Sequence, residues 1–556
     1  MQPFEIERGL LAFSKYATDD LITGIRRNVF IDLDYELHRI VPRPAVQGDM
    51  APQQELIEYI HLCRRTLEAI ILERASGYTA ARWLYYFRRL PNFAFLNYQG
   101  GLDLYKLSLC DAITGQLATV SDDPDVVNYP LHESVIKRVI RRSQEILYLT
   151  NFHVCLHQAA KDVPFQFGNS AIPVPQLRRD VSEALSLFDW RVAAFDQEPL
   201  HRLGTQAHSE ISTERLERVF AIIARRKETE WVRNPQASNG TAGSPKILAN
   251  YGVRFVDLEK LSDLILDGRI ASPVWTKEAG ALLLLSRISA EMFVSPLFYR
   301  HVAEVGHVVT DKETLLEMFA TLFKGAEEAV HRTAPDLHIP TDPESLLREL
   351  EDMRGSTWPI VPGPVVRSTR GTIYLDLASA SLRLNRAFEF PRETGASANA
   401  RAEHFEHSVQ LIVDSSPWAN IETRRLRGRI LRQNNKHITD IDAVGAKGRR
   451  LLLISCKSIL YSEYEIADFR VLRNATDTLQ KAVVVWSRVC SLLRNNRVGD
   501  NYDFSSFDEI IGVICTPVVV YTPLGIATSR VADGLYAAVS MSELRLWLDG
   551  QSLERK

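Results

Sequence analysis

What the chain has little of bounds it first. The six cysteines, Cys63, Cys110, Cys155, Cys456, Cys490 and Cys515, include no CxxC pair, which argues against a zinc cluster and against a disulfide framework. No apolar run approaches the roughly 20 residues a membrane helix needs. The most apolar stretch, 279–285, is far shorter and reads as buried core. Neither sign of charge is in excess: 66 Lys and Arg face 69 Asp and Glu, a net charge of −3, which excludes a globally basic nucleic-acid coat and an acidic disordered tail. Any polyanion site must therefore be a local patch. The opening MQPFEIERGL lacks the basic start and apolar middle of a secretory leader, so a reducing cytoplasm is the expected compartment, with no membrane partner. Also missing are GxxxxGK(S/T), HExxH, GxSxG and a glycine fingerprint at a strand-to-helix turn. P-loop nucleotide hydrolysis, zinc proteolysis and serine esterase chemistry have no sequence support.

What is there divides the chain. Its 556 residues exceed what one hydrophobic core usually organises. Up to about residue 355 the apolar positions recur at three-to-four spacing, as at Leu56, Ile57, Ile60, Leu67, Ile70 and Ile71, and similar patterns fill 131–160, 176–195, 211–231, 255–305 and 313–333. These read as helices. The aromatics Trp83, Tyr85, Tyr86, Phe87, Phe93 and Phe95 lie beside such positions and read as core. Gly, Pro, Ser and Asn cluster at 233–246, an expected linker, and STWPIVPGP at 356–364 ends the helical reading. The expected architecture is multidomain: a helical domain over 1–232, a second over 247–355, and an α/β domain with a central mixed sheet over 365–556.

The residues that carry a chemical signal lie between Arg401 and Arg488. The stretch AEHFEHSVQLIV puts Phe405, Val409 and Ile412 on one helical face, with Glu403, Glu406 and Gln410 beside it. His404 and His407 stand three apart, but without further ligands at matching spacing they read as surface histidines. Then follow IETRRLRGRILR, with five arginines in nine positions, and ITDIDAV, in which Asp440 and Asp442 share a face if the segment is a strand. After a turn at Gly445 and Gly448 comes the apolar strand LLLISCK. If Val444 pairs with Leu453 in a hairpin, Asp442 faces Ser455 and Asp440 faces Lys457, about 5 Å apart at Cβ. Acids beside a lysine at a strand end suit a hard divalent cation, which takes oxygen ligands and keeps waters.

At these residues the chain resembles the PD-(D/E)xK nuclease superfamily, the restriction-endonuclease-like fold, over residues 398–525. The resemblance rests on the Phe405-Glu406 helix, DIDAV, LLLISCKS and a later helix bearing Gln480. It implies a phosphodiester-cleaving endonuclease using Mg2+ or Mn2+, acting on nucleic acid, DNA before RNA, in which Asp442 binds metal and Lys457 is catalytic. Ser455 stands where the family carries an acid. Glu406 or Asp440 is then expected to supply the missing charge, with the backbone carbonyl of Cys456 as a further ligand. Residues 421–450 hold nine Lys or Arg against three acids. Arg425, Arg427 and Arg429, if on a strand, form a row for phosphate contact, and Gln480 is an expected substrate contact. The helical portion is expected to recognise or restrain, by analogy with multidomain nucleases of prokaryotic defence, and a homodimer or an activating partner fits duplex cutting. Two other readings stay open: a degenerate nuclease fold that binds without cutting, and a non-enzymatic interaction protein.

Overall fold

The computed structural model describes residues 16–44, 53–90, 132–160, 163–176, 178–195, 216–233, 246–259, 276–335, 337–353, 364–369, 372–389, 396–459 and 469–553. The protein is mixed α/β, and among the described residues no helix is long and apolar enough to cross a membrane. Its apolar side chains gather in separate cores. The first joins the helices Asp19–Ile40, Gln53–Ala75, Ala80–Phe87 and Glu133–Ala160. Trp83, Tyr86 and Phe87 are buried there, as their spacing predicts, while Phe93 and Phe95 lie outside the described residues.

The second core departs from the expected boundaries. It runs from Val219 to Leu384 and so includes residues on both sides of 233–246 and of 356–364. Residues 234–245, expected as a linker and outside the described set, connect the two strands of one antiparallel hairpin, Val219–Arg233 and Lys246–Asp257. The helix expected over 211–231 is thus largely a strand. Val219, Phe220, Ile222, Ile223 and Val232 are the β-branched and aromatic residues that fit a pleated surface, and an equally apolar partner strand overrides the helical spacing. Nor does 356–364 separate two domains: His307–Asp311 and Val366–Thr369 both pair with Thr372–Asp376 in one three-stranded antiparallel sheet.

The C-terminal part holds a four-stranded mixed sheet in the order Ala443–Lys447, Arg450–Cys456, Glu509–Thr516, Ala538–Ser540. The first pair is an antiparallel hairpin and the other neighbours are parallel. The parallel connection runs through the long helix Phe469–Asn495, which approaches so closely that a Cβ on Gly512 would stand 2.0 Å from Cys490 Sγ. Alternation sorts the central strand: Leu451 and Leu453 join the core under that helix, whereas Leu452 and Ile454 join the core under Ala396–Asp414 and Met541–Leu548. Burial on both faces explains the unbroken LLLI run.

One helix from the N-terminal half belongs to this sheet. Ala184 and Phe188 of Arg179–Phe195 enter its core, and buried Arg191 forks onto Glu543 through two 2.7 Å hydrogen bonds while a third reaches the Ala538 carbonyl. Glu543 also accepts from Ser540 N, closing a capping box at the last helix.

The outer edge of the sheet is covered by a side chain acting as backbone. Gln410 accepts from Val444 N and donates to Val444 O, both at 2.9 Å, and Ala446 N donates to Trp418 O. Gln410→Ala would leave a buried N–H and C=O unpaired, and we expect a loss of about 2–4 kcal/mol. A urea midpoint unchanged from the wild type would show that this contact holds nothing.

Candidate functional site

The site begins where the central strand stops being wholly apolar. Up to Ile454 both faces are covered, and polar groups emerge at Ser455 and Lys457. The hairpin register then decides which acid meets them. Val444 pairs with Leu453 and Ala443 with Ile454, as the sequence reading supposed, so the residue before the strand arrives beside Ser455 and Cys456. Asp442 Oδ2 accepts from Cys456 N at 2.6 Å and from Ser455 Oγ at 3.3 Å. No described residue donates to its Oδ1. One carboxylate oxygen fixes the side chain and the other is left for a ligand. Ser455 thus acts as a donor that orients Asp442, and Cys456 contributes its amide. The Cys456 thiol is buried, which pushes its pKa well up.

Glu406 reaches the same place from above. The helix Ala396–Asp414 docks through Phe405, Val409, Ile412 and Val413, and Gln410 on its flank grips Val444. Residues four apart share a helical side, so the grip that sets Gln410 carries Glu406, one turn earlier, toward Asp442. Burial, then the neighbouring Asp442, pushes the Glu406 carboxyl up to about 7, with Arg427 and Lys457 pulling the other way. Burial likewise raises Asp442, against the Cys456 hydrogen bond and Lys457. The amide of Lys457 donates to Cys515 O at 2.9 Å, which holds the strand end in place while its side chain stays half-buried.

Asp440 joins this cluster only through its charge. It does not continue the strand that carries Asp442: it ends a separate two-stranded ribbon, Ile430–Gln433 with Lys436–Asp440, where it pairs with Ile430. Ile441 is buried and its carbonyl accepts from Gly428 N, so the chain bends between the two acids. Asp440 is exposed, yet its charge still raises both Glu406 and Asp442. A direct pairing with Lys457 is therefore replaced by a through-space effect.

The arginine row also takes a different form. Asn420 caps the short helix Ile421–Arg424, accepting from Glu422 N and Thr423 N, and a turn closed by Gly428 at φ 68° follows. Arg425 and Arg427 lie in that turn and Arg429 just after it, before the strand at Ile430, so no strand aligns the three. The turn separates their roles. Arg425 and Arg429 are exposed, whereas Arg427 folds toward the acids, with Nε donating to Asp442 O at 3.3 Å and Nη1 lying 3.2 Å from His407 Nδ1. Alternation along a presumed strand hid this. Gln480 is half-buried on Phe469–Asn495, and no hydrogen bond ties it to the cluster among the described residues. The His404 side chain lies outside the described set.

Among the described residues, no three His, Cys, Asp or Glu side chains stand close enough to cage a metal ion. A soft or fully protein-ligated ion is thus a poor fit. A magnesium-type ion asks for less, since one or two carboxylates with waters suffice. Asp442 with its free oxygen, and Glu406 near enough to feel its charge, match that demand. Compared with protein-family models, with curated proteins and with solved structures, the chain matches none of them, so the site rests on its own geometry.

A raised carboxyl pKa means that the folded chain holds the proton more tightly than the unfolded one. The resulting stability is present below the ordinary carboxylate range and is lost as pH climbs toward 7. Glu406→Gln should therefore stabilise the metal-free protein at about pH 8, by about 1–3 kcal/mol after allowing for its partial exposure, and have little effect at about pH 4. Urea midpoints at the two pH values check this, and equal gains at both would sink it.

Proposed function

We propose that the protein is a metal-dependent nuclease whose C-terminal part is a restriction-endonuclease-like domain, hydrolysing phosphodiester bonds of nucleic acid, with DNA the favoured substrate. The observation that carries the reading is the hydrogen bond from Cys456 N to Asp442 Oδ2, which joins DIDAV to ISCK at the end of one strand, with Glu406 alongside. The order of helix, antiparallel hairpin, crossing helix and parallel strand supports it as well.

Asp442 and Glu406, with the Cys456 carbonyl, are the groups that would hold the ion, and Asp440 adds field from outside. Magnesium or manganese, when bound, supplies a Lewis acid at the phosphate and a lowered pKa for an attacking water. The chain's own residues do the rest. Ser455 and the Cys456 amide keep Asp442 in one orientation, so its second oxygen needs no reorganisation. The Lys457 ammonium orients the water or offsets the charge that grows on the phosphoryl oxygens. Arg427 anchors the Asp442 backbone and sets positive charge beside Glu406. Arg425, Arg429 and Gln480 are left for substrate phosphates, and the Arg191–Glu543 fork gives the N-terminal half a physical route to the catalytic sheet.

Incubation with plasmid DNA and with single-stranded RNA in magnesium, manganese or EDTA tests this. We expect metal-dependent cutting that falls by about 10²-fold or more in Asp442→Ala and Lys457→Ala, as for loss of a group that stabilises the transition state. Ser455 favours a second reading, a nuclease fold that binds without cutting, because a neutral hydroxyl occupies the usual acid position. Nucleic-acid binding that survives EDTA, with no cutting in either metal, would replace the first reading by the second.

A further inference from the structure

Resting on the nucleic-acid reading of the site, we propose that the ribbon Ile430–Gln433 with Lys436–Asp440 enters the major groove of a B-form DNA duplex and seats it over the carboxylates.

The ribbon stands apart from the four-stranded sheet and pairs only with itself among the described strands. Its inner face is fastened by Leu431, fully buried, and by half-buried Ile438, both in the C-terminal core. Beyond that anchor the ribbon is largely exposed and carries cations on both faces. Arg432 and His437 are cross-strand partners, Lys436 sits at the tip, Arg429 enters at the base, and all four are exposed. Neither Arg432 nor Lys436 forms an ion pair among the described residues. Asp440, the ribbon's one carboxylate, lies at the end nearest Asp442 and Glu406 and is felt by both. Exposed cations therefore run along the ribbon between Asp440 at its root and Asp500, which holds its tip.

The tip is built to hold its shape. Asn434 and Asn435 occupy left-handed conformations at φ 51° and 60°, the two-residue turn whose twist matches paired strands. Asp500 accepts from both of their amides, at 3.1 and 2.7 Å, and Asn501 accepts from Arg432 N and donates to Ile430 O. A flexible surface loop would need no such brace.

Dimensions choose the occupant. Two strands about 4.8 Å apart form a blade that a B-form major groove, about 12 Å wide, admits. The deep, narrow major groove of A-form RNA does not. From Asp440 to Lys436 the strand runs about 13 Å, so the tip reaches about four base pairs from the site. A single strand offers no groove to fill.

Fluorescence anisotropy in EDTA, with the full chain, tests the proposal independently of cutting. The probes are a 30-base-pair DNA duplex, the RNA duplex of the same sequence and the single DNA strand. Arg432→Ala with Lys436→Ala should weaken duplex DNA binding by about tenfold or more and flatten its salt dependence by about two contacts. The charge-matched pair Lys324→Ala with Arg332→Ala should change it less than twofold. Asp500→Ala separates seating from charge: it removes a negative group, which alone would tighten DNA binding, yet freeing the tip should weaken it several-fold. Duplex DNA affinity within twofold of wild type in the Arg432/Lys436 variant, tightening in Asp500→Ala, or equal affinity for duplex RNA would overturn the ribbon. Ribbon-dependent DNA binding without cutting in magnesium or manganese would uphold it while removing the nuclease reading.

Discussion

Burial of the strand Arg450–Cys456 on both faces is the constraint from which the rest of the C-terminal part follows. Helices cover each side, so its interior positions must be apolar, and a polar side chain there would stay unpaired. Chemistry can appear only where the strand runs out. The first polar positions beyond Ile454 meet whatever the neighbouring strand brings to that end, and the paired register brings Asp442. The same constraint fixes the hairpin edge, where Gln410 supplies the backbone partners that a further strand would have provided. In doing so it settles the rotation of its helix and thereby the place of Glu406.

Two kinds of charge cluster in this molecule differ in a way that bears on function. Arg191 with Glu543 and Arg88 with Asp376 are buried pairs in which opposite charges meet at 2.7 and 2.9 Å. Their desolvation is offset within the protein, and their role is to join segments distant in the chain. The acids around Asp442 are arranged otherwise. Asp442 and Asp440 raise the proton affinity of Glu406, and Asp440 raises that of Asp442, while Lys457 draws both down and Arg427 draws Glu406 down. Such an arrangement costs stability at neutral pH, a cost that the proposed cation would offset. The strain sits where a strand end opens, not in the core.

The sequence made the local parts of this picture legible. The hairpin pairs Val444 with Leu453 as supposed, although LLLI is apolar at every position and buried on both faces, so alternation alone does not fix that register. The Phe405, Val409 and Ile412 stripe follows from helical spacing. Where the reading failed, a single residue redirected the chain. Gly428 in a left-handed conformation turned the arginine row into a loop, and the bend at buried Ile441 sent Asp440 into the ribbon instead of the sheet. Neither event leaves a periodic trace. The strand at 219–233 departs from the helical reading because it opens on a continuous apolar run, Val219 to Ile223, buried on both faces, which periodicity does not tell from a buried helix; only its partner, Lys246–Asp257, decides between them.

Domain boundaries failed for a related reason. A run of Gly, Pro, Ser and Asn marks a place where the chain can turn, and a hairpin loop uses the same residues as a linker. What separates the two is whether the flanking segments pack together, and here they do, at 234–245 and again around 356–364. The reverse case is Arg179–Phe195, which reads as one more helix of the N-terminal half. Its buried arginine has its partner in the helix that closes the C-terminal sheet, more than three hundred residues later. An arginine on an apolar helical face is the trace of that contact in the sequence, since its guanidinium can be buried only against a carboxylate held in place. Glu543 is so held by its own capping box, and the pairing makes the N-terminal half part of the framework on which the acids around Asp442 are mounted.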